Sequence, residues 1–274
     1  MRVATWNVNY RGTAVAEHLG RLARESRIDL LLLQEANPNS VNELADAAEM
    51  DWVLTAYDAG APVPATTGRR RVAAIAGRGS EPTSSGLLPG AAMEERAVVA
   101  HLESTLGEMT VAAYHAPPGV SWGLTKVHHA HALLAWINAT QGHVIVGADA
   151  NTPEVDHPDP DLTRTHWHTG SARLNGLVGD DVTFGGRPQH RLHDAYRRWL
   201  HDHRDEAERV SRDHPVGPLA ISHHTGRRKV HAGTPRRFDA LWVSPELGVK
   251  SVEYKYEAAV AAGTDHALVV ADLA

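Results

Sequence analysis

The sequence predicts an α/β protein rich in strands, built from two packed sheets with helices on their outer faces. Short β-branched or apolar runs recur along all 274 residues, whereas helical spacing is confined to a few stretches. So many strands with so few helices do not fit one doubly wound sheet, and they divide between two sheets packed face to face. No internal repeat, low-complexity tract or long linker interrupts the pattern, which gives one domain over residues 1–274 with a midpoint near residue 125.

The elements follow in order. RVATWNV reads as a first strand over 2–8, and Thr13 to Glu25 is an amphipathic helix because Val15, Leu19 and Leu22 recur at three- to four-residue spacing. LLLLQE makes a second strand over 29–35, and Val41 to Met50 a second helix. Apolar runs at 51–57, 71–77, 96–103 and 109–116 read as four strands before the third helix, Leu124 to Ala139. Strands at 143–149, 181–184, 219–223, 238–243, 250–257 and 267–273 complete the chain, with Arg191 to Arg212 read as a solvated helix face.

Composition narrows the function. There is no cysteine, and 22% charged against 42% hydrophobic residues rules out disorder and disulfide scaffolds. The longest apolar runs, such as Leu30 to Leu33, fall far short of the roughly 20 residues of a membrane helix. No leader-like segment opens the chain, and it is read as cytoplasmic. A balance of 27 basic to 33 acidic residues, net -6, speaks against a protein that coats nucleic acid, while leaving room for a local basic groove.

The chemistry is written where polar residues interrupt strands. Asn7 and Asn9 close TWNVN, and Glu35 closes LLLLQE. Asp149 and Asn151 follow the apolar run in VIVGADANTP, Asp239 sits inside RRFDALWV, and Asp265 with His266 precedes the last strand in GTDHALVV. Singly, each has a plain reading as a turn residue, a surface carboxylate or an Asx-turn. Five in one chain are the pattern of a site delivered to a sheet edge by rigid elements. Asn7, Glu35 and Asp265 offer hard oxygens without a thiol, a set suited to Mg²⁺ or Mn²⁺. His266 has the parts of a general base, with Asp239 to fix its tautomer.

The ordered motifs TWNVN, LLLLQEA, YHAPPG, GADANTP, RRFDALWV and GTDHALVV resemble the endonuclease/exonuclease/phosphatase superfamily, in its deoxyribonuclease I-like and exonuclease III-like branches. The resemblance implies a four-layer α-β-β-α sandwich of two pseudo-symmetric halves, about 1–125 and 126–274, with the active site at one rim. It places Asn7, Glu35 and Asp265 around the metal, Asp149 and Asn151 at the attacking water and the phosphate, and His266 with Asp239 as the acid/base pair. The family's GDFN is GADAN here and its SDH is TDH, both keeping the reacting residues. His115 of YHAPPG is closer to deoxyribonuclease I, where a carboxylate supports a second histidine, and Glu81, Glu94 and Glu95 are the candidates for that partner.

From Arg187 to Arg237 there are 12 Lys and Arg against 6 Asp and Glu, so positive charge gathers beside a catalytic strand. Arg227, Arg228 and Arg237 are the expected substrate contacts in that segment, and Trp122 with Lys126, just after YHAPPG, would stack on and pair with a nucleotide. The 19 histidines, including His128, His129, His131, His166, His168, His223 and His224, show no zinc-hydrolase signature. The expected function is a metal-dependent phosphodiesterase of the nuclease branch. In it a water activated by His266 attacks phosphorus in line, while the metal and His115 stabilise charge, on nucleic acid and on DNA ahead of RNA. The alternatives are a phosphomonoesterase, a lipid or nucleotide phosphodiesterase, and a silent binding module, the last disfavoured by six intact motifs.

Overall fold

The computed structural model describes residues 1–63, 70–118, 122–165, 179–226 and 233–274. In chain order its elements are β1 (Arg2–Asn7), α1 (Thr13–Glu25), β2 (Leu30–Ala36), α2 (Val41–Ala47), β3 (Trp52–Thr55), β4 (Val72–Gly77), β5 (Ser84–Leu87), β6 (Ala97–Ser104), β7 (Gly107–His115), α3 (Leu124–Ala139) and β8 (His143–Asp149). There follow α4 (Gly179–Phe184), β9 (His193–Asp194), α5 (Ala195–Asp202), α6 (Arg204–Asp213), β10 (His223–Thr225), β11 (Thr234–Arg236), β12 (Asp239–Val243), β13 (Val249–Lys255), α7 (Tyr256–Ala262) and β14 (Leu268–Leu273).

These strands form two mixed six-stranded sheets, ordered β13-β14-β1-β2-β4-β3 and β5-β6-β7-β8-β12-β9, with β10 and β11 as a separate hairpin. Each sheet has one parallel pair, β1 with β2 across α1 and β7 with β8 across α3. The other neighbours are antiparallel, so the two sheets match strand for strand. The chain passes to the second sheet between Gly77 and Ser84 and returns to the first after Val243, and residue 125 falls inside α3.

The period-two pattern of a strand buries both faces of the second sheet. Along β6, Val98 and Ala100 join the core shared with the first sheet, whereas Ala97 and Val99 join a second core with Leu133 and Ile137 of α3. Gly147 of β8 packs directly against Leu32 and Thr5 of the first sheet. A Cβ there would stand 2.6 Å from Cβ of Leu32 and 2.9 Å from Cβ of Thr5, so glycine is required for the approach. Gln34 donates from Nε2 to the Gly147 carbonyl at 3.1 Å and pins the sheets together just below the rim.

The sequence-based elements need four corrections. Residues 181–184, expected as a strand, lie in α4, because the segment packs on α3. Thr183 Oγ1 donates to the Ala130 carbonyl at 3.2 Å, and a Cβ at Gly179 would lie 2.5 Å from the Val127 carbonyl. The strand expected over 219–223 is irregular until β10 begins at His223. The run 250–257 leaves the sheet at Lys255 and turns into α7. The short strands β5, β9 and β11 lack a readable apolar pattern. Among the described residues no helix is long and apolar enough to cross a membrane.

Candidate active site

The parallel strands β1, β2, β7 and β8 end at the same rim, and their last residues carry Asn7, Glu35, His115 and Asp149. β12 runs antiparallel to β8 and starts at that rim, with Asp239 in register opposite Asp149. β14 runs antiparallel to β1, which brings His266 to the same place just before it. The carboxyl ends of parallel strands are the usual crevice for ligands in α/β sheets.

The backbone is bent to deliver these groups. Asn9, Glu35 and Asn151 have φ of 49°, 50° and 47°, a left-handed conformation that costs a non-glycine residue energy. Glu35 gets there through a register irregularity between Leu33 and Ala36, where β2 bulges against β4. Thr264 Oγ1 donates to the Asn7 carbonyl at 2.8 Å, and Trp6 Nε1 to the His266 carbonyl at 3.1 Å, so β1 holds the His266 turn at both ends.

Two hydrogen bonds define the centre. Asn7 Nδ2 donates to Asp149 Oδ2 at 2.7 Å, joining the sheets, and His266 Nδ1 lies 2.9 Å from Asp239 Oδ2. Asp149 Oδ1 also accepts from the Asn151 amide at 3.0 Å, and Asn151 Nδ2 donates to the Ala116 carbonyl at 3.0 Å. Burial, and then the carboxylate of Asp239, push the pKa of Asp149 up to about 7. Burial alone would lower His266, but Asp239 and Asp149 more than reverse it and raise the ring to about 10.

His115 is buried between Glu35 Oε1 at 3.5 Å and Asp149 Oδ2 at 3.6 Å from its Nε2. Its hydrogen-bond neighbour is Arg96, and none of Glu81, Glu94 and Glu95 contacts it. Glu35 Oε1 accepts from Arg71 Nη1 at 2.5 Å. Asp265 stands on the solvent side, where Asn9 bridges it to Asn7: the Asn9 amide donates to Asn7 Oδ1 at 2.9 Å and Asn9 Nδ2 to Asp265 Oδ1 at 2.7 Å.

Among the described residues, ligand atoms within 4.8 Å of one another occur as Asp149, Asp239 and His266, and as His223, Asp265 and His266. Glu35 belongs to neither group. Asn7 and Glu35, with Asp265 on the solvent side joined through Asn9, supply hard oxygens. That donor set fits Mg²⁺ or Mn²⁺ better than a thiol-seeking ion.

Two expected substrate contacts are architectural instead. Arg237 is buried, with Nε 2.6 Å from Asp156 and Nη2 2.5 Å from Asp194, so its guanidinium is fully engaged inside the protein. Lys126 is fully buried, 3.2 Å from Asp180 of α4, and donates to the Asn151 carbonyl at 3.2 Å. It anchors the turn that carries Asn151. Trp122 is 40% exposed, with the Arg96 guanidinium 5.6 Å from its ring centre. Arg227 and Arg228 lie outside the described residues, as do His166 and His168.

Sequence reasoning missed Ser222, His223 and Arg96. Ser222 Oγ accepts from the amides of Phe238 at 2.8 Å and Asp239 at 3.1 Å, fixing the start of β12. His223 stacks on His266 with ring centres 4.3 Å apart, and its Nδ1 lies 3.0 Å from the Asp265 carbonyl. Ser222 and His223 close the run expected as a strand over 219–223, so they carried the same positional signal as the others, whereas Arg96 opens its strand.

Fold and rim together define an α/β sandwich that gathers amide, carboxylate and imidazole groups from both sheets at one end. The chain belongs to the Endonuclease/Exonuclease/phosphatase family, whose model matches residues 4–266. Among solved structures, an AP endonuclease from Archaeoglobus fulgidus aligns with a TM-score of 0.64 at 18% identity, over 99% of this chain and 98% of that one. A humanized D. rerio TDP2 gives 0.61 at 13% identity, covering 100% and 98%. The human nocturnin catalytic domain with bound sulfate gives 0.61 at 16%, covering 100% and 94%. At such identities the likeness is one of fold. None of the curated proteins compared with the sequence matches it.

Proposed function

We propose that this protein is a divalent-metal-dependent phosphodiesterase of the nuclease type, acting on nucleic acid and on DNA ahead of RNA. The observation that carries the reading is the convergence at one rim of the Asn7–Asp149 bond between the sheets and the His266–Asp239 pair. Enzymes of the family act on phosphate esters and generally use divalent metals, and a structural neighbour named as an AP endonuclease favours DNA. Asn7 and Glu35, with Asp265 joined through Asn9, would hold Mg²⁺ or Mn²⁺, which when bound polarises phosphoryl oxygens and offsets developing charge.

The chain's own residues then divide the work. Asp149 and Asn151 orient the attacking water, and Asp149, which ionises near 7, takes its proton. His266 keeps Nδ1–H on Asp239 and presents Nε2 to the phosphoryl group, with the carboxylates of Asp239 and Asp149 favouring the protonated ring. This departs from the expectation that His266 deprotonates the water: two flanking carboxylates hold the proton on the ring. His115 contributes charge stabilisation, and Trp122 offers an exposed face to a base.

The test is a Mg²⁺ and Mn²⁺ panel on supercoiled plasmid, single strands, an abasic duplex, RNA and small phosphomonoesters, with a chelated control. Cleavage of a polynucleotide that chelation abolishes is the expected result. Activity that survives exhaustive chelation removes the metal, and turnover confined to phosphomonoesters moves the protein to the phosphatase branch.

A further inference from the structure

The proposed chemistry leaves one buried ion pair without a role. Lys126 in the first turn of α3 and Asp180 in the first turn of α4 are both fully buried, with Nζ 3.2 Å from Oδ2. The chain is shaped to bring them together. A Cβ on Gly179 would stand 2.5 Å from the Val127 carbonyl and 2.8 Å from Cδ2 of His131, so glycine lets α4 begin directly against α3. Taking an ammonium and a carboxylate out of water is costly, and apolar side chains of similar volume commonly hold a fold together as well or better. Packing α4 on α3 therefore gives no reason for these charges. A second contact of the lysine does: its Nζ donates to the carbonyl of Asn151, 25 positions away, at 3.2 Å.

Asn151 needs holding. Its φ of 47° is a left-handed conformation that persists in a residue other than glycine only where the surroundings over-determine it. Three bonds do so. The Asn151 amide donates to Asp149 Oδ1 at 3.0 Å, its Nδ2 to the Ala116 carbonyl at 3.0 Å, and its carbonyl accepts from Lys126. With Nδ2 committed to Ala116, Oδ1 is the atom this side chain has left to accept a hydrogen bond from the attacking water. We infer that Lys126, with Asp180 as its counter-ion, is a positioning residue for Asn151: it clamps the Asn151 carbonyl and so aims Oδ1 at the water that Asp149 deprotonates. The inference rests on the reading of the rim as a phosphoester site. Lys126 thus acts on the substrate through another residue, not by touching it, and Asp180 offsets the cost of burying the ammonium that makes the clamp. A charge-assisted donor holds a carbonyl more firmly than a neutral one, which is what a backbone in a costly conformation requires.

The experiment separates positioning from stability. Lys126→Met alone would strand Asp180, so the variant of choice is Lys126→Met with Asp180→Asn, which removes both charges at nearly constant volume and should melt close to wild type. Amide hydrogen exchange is followed by NMR on the metal-free protein. The Asn151 amide should exchange at least about tenfold faster in the double variant, while the amides of β7 and β8 keep their rates. On supercoiled plasmid with Mg²⁺, kcat should fall roughly 10- to 100-fold with KM within about twofold. A folded double variant in which the Asn151 amide and kcat are both unchanged overturns the inference. So does a loss of protection that spreads through β7 and β8, the mark of a purely structural pair. A wild-type crystal structure with Nζ turned away from the Asn151 carbonyl overturns it even if the double variant does not fold. The exchange measurement needs no substrate, so a protein that cleaves no phosphoester would sink the proposed function while the clamp on Asn151 is still judged.

Discussion

Two buried clusters of charge meet around β12, one beginning at Arg237 and the other at Asp239. In the first, Arg237 donates to Asp156, Asp194 and Tyr254 Oη, Arg197 closes on the other side of Asp156, and Asp194 also accepts the amides of Tyr196 and Arg197 at the start of α5. Two carboxylates face two guanidiniums. In the second, Asp149 and Asp239 lie side by side with His266 between them, and Asp239 Oδ1 has no hydrogen-bond partner among the described residues. A buried charge with every contact filled has finished its work on folding, whereas one left short of partners is held ready for something that arrives later.

The largest effects should separate the clusters by kind. Asp149→Asn is expected to lower kcat by about 10²–10⁴ while the melting temperature holds or rises, because it removes a carboxylate that burial disfavours. A loss of fold instead would put Asp149 in the same class as Asp156. Arg237→Met should do the reverse. It strands Asp156 and Asp194 without their cation and is expected to cost about 3–5 kcal/mol in urea unfolding, with near wild-type kcat in the fraction that stays folded.

Acid sharpens the contrast through opposite signs. Burial works against the Asp156 carboxylate, but Arg237 and Arg197 hold its pKa below the usual carboxylate value. Its stabilisation is therefore complete above that usual value and is lost as pH falls through the folded-state pKa, so Asp156→Asn should flatten the acid limb of a stability profile. Asp149, raised to about 7, behaves oppositely: its ionisation costs stability as pH climbs from the carboxylate range through 7. Asp149→Asn should accordingly gain on wild type above pH 7 and match it in acid. The smallest effect is expected outside both clusters. Trp122→Ala should raise KM for a single-stranded polynucleotide about tenfold, leaving kcat within about twofold, as judged by initial rates.

The sandwich, its rim and most rim residues were legible because each polar group interrupts an apolar run at a strand end. The same signal cannot separate Arg237 from Asp239, which are two positions apart in RRFD, because it reports where a residue sits and says nothing about what faces it. Lys126 was misread for a traceable reason. Its place just after YHAPPG pointed to a substrate contact, whereas the segment 181–184, expected as a strand, lies in α4, which brings Asp180 against the lysine. Arg96 carried no signal, since an arginine before an apolar strand is commonplace and its histidine lies 19 positions away.

The place of β14 between β13 and β1 has a consequence for the life of the chain. Trp6 and His266 touch across 260 positions of sequence, so the first strand of the site waits for nearly the last. During synthesis the early strands emerge with one edge of their sheet unfilled, and the rim that brings His266 to Asn7 is not assembled until β14 arrives to close it. Contacts this distant form slowly. Recovery of the proposed activity in a refolding experiment should therefore lag behind the return of secondary structure, and a ribosome-bound or truncated chain lacking Leu268–Leu273 is expected to be inactive.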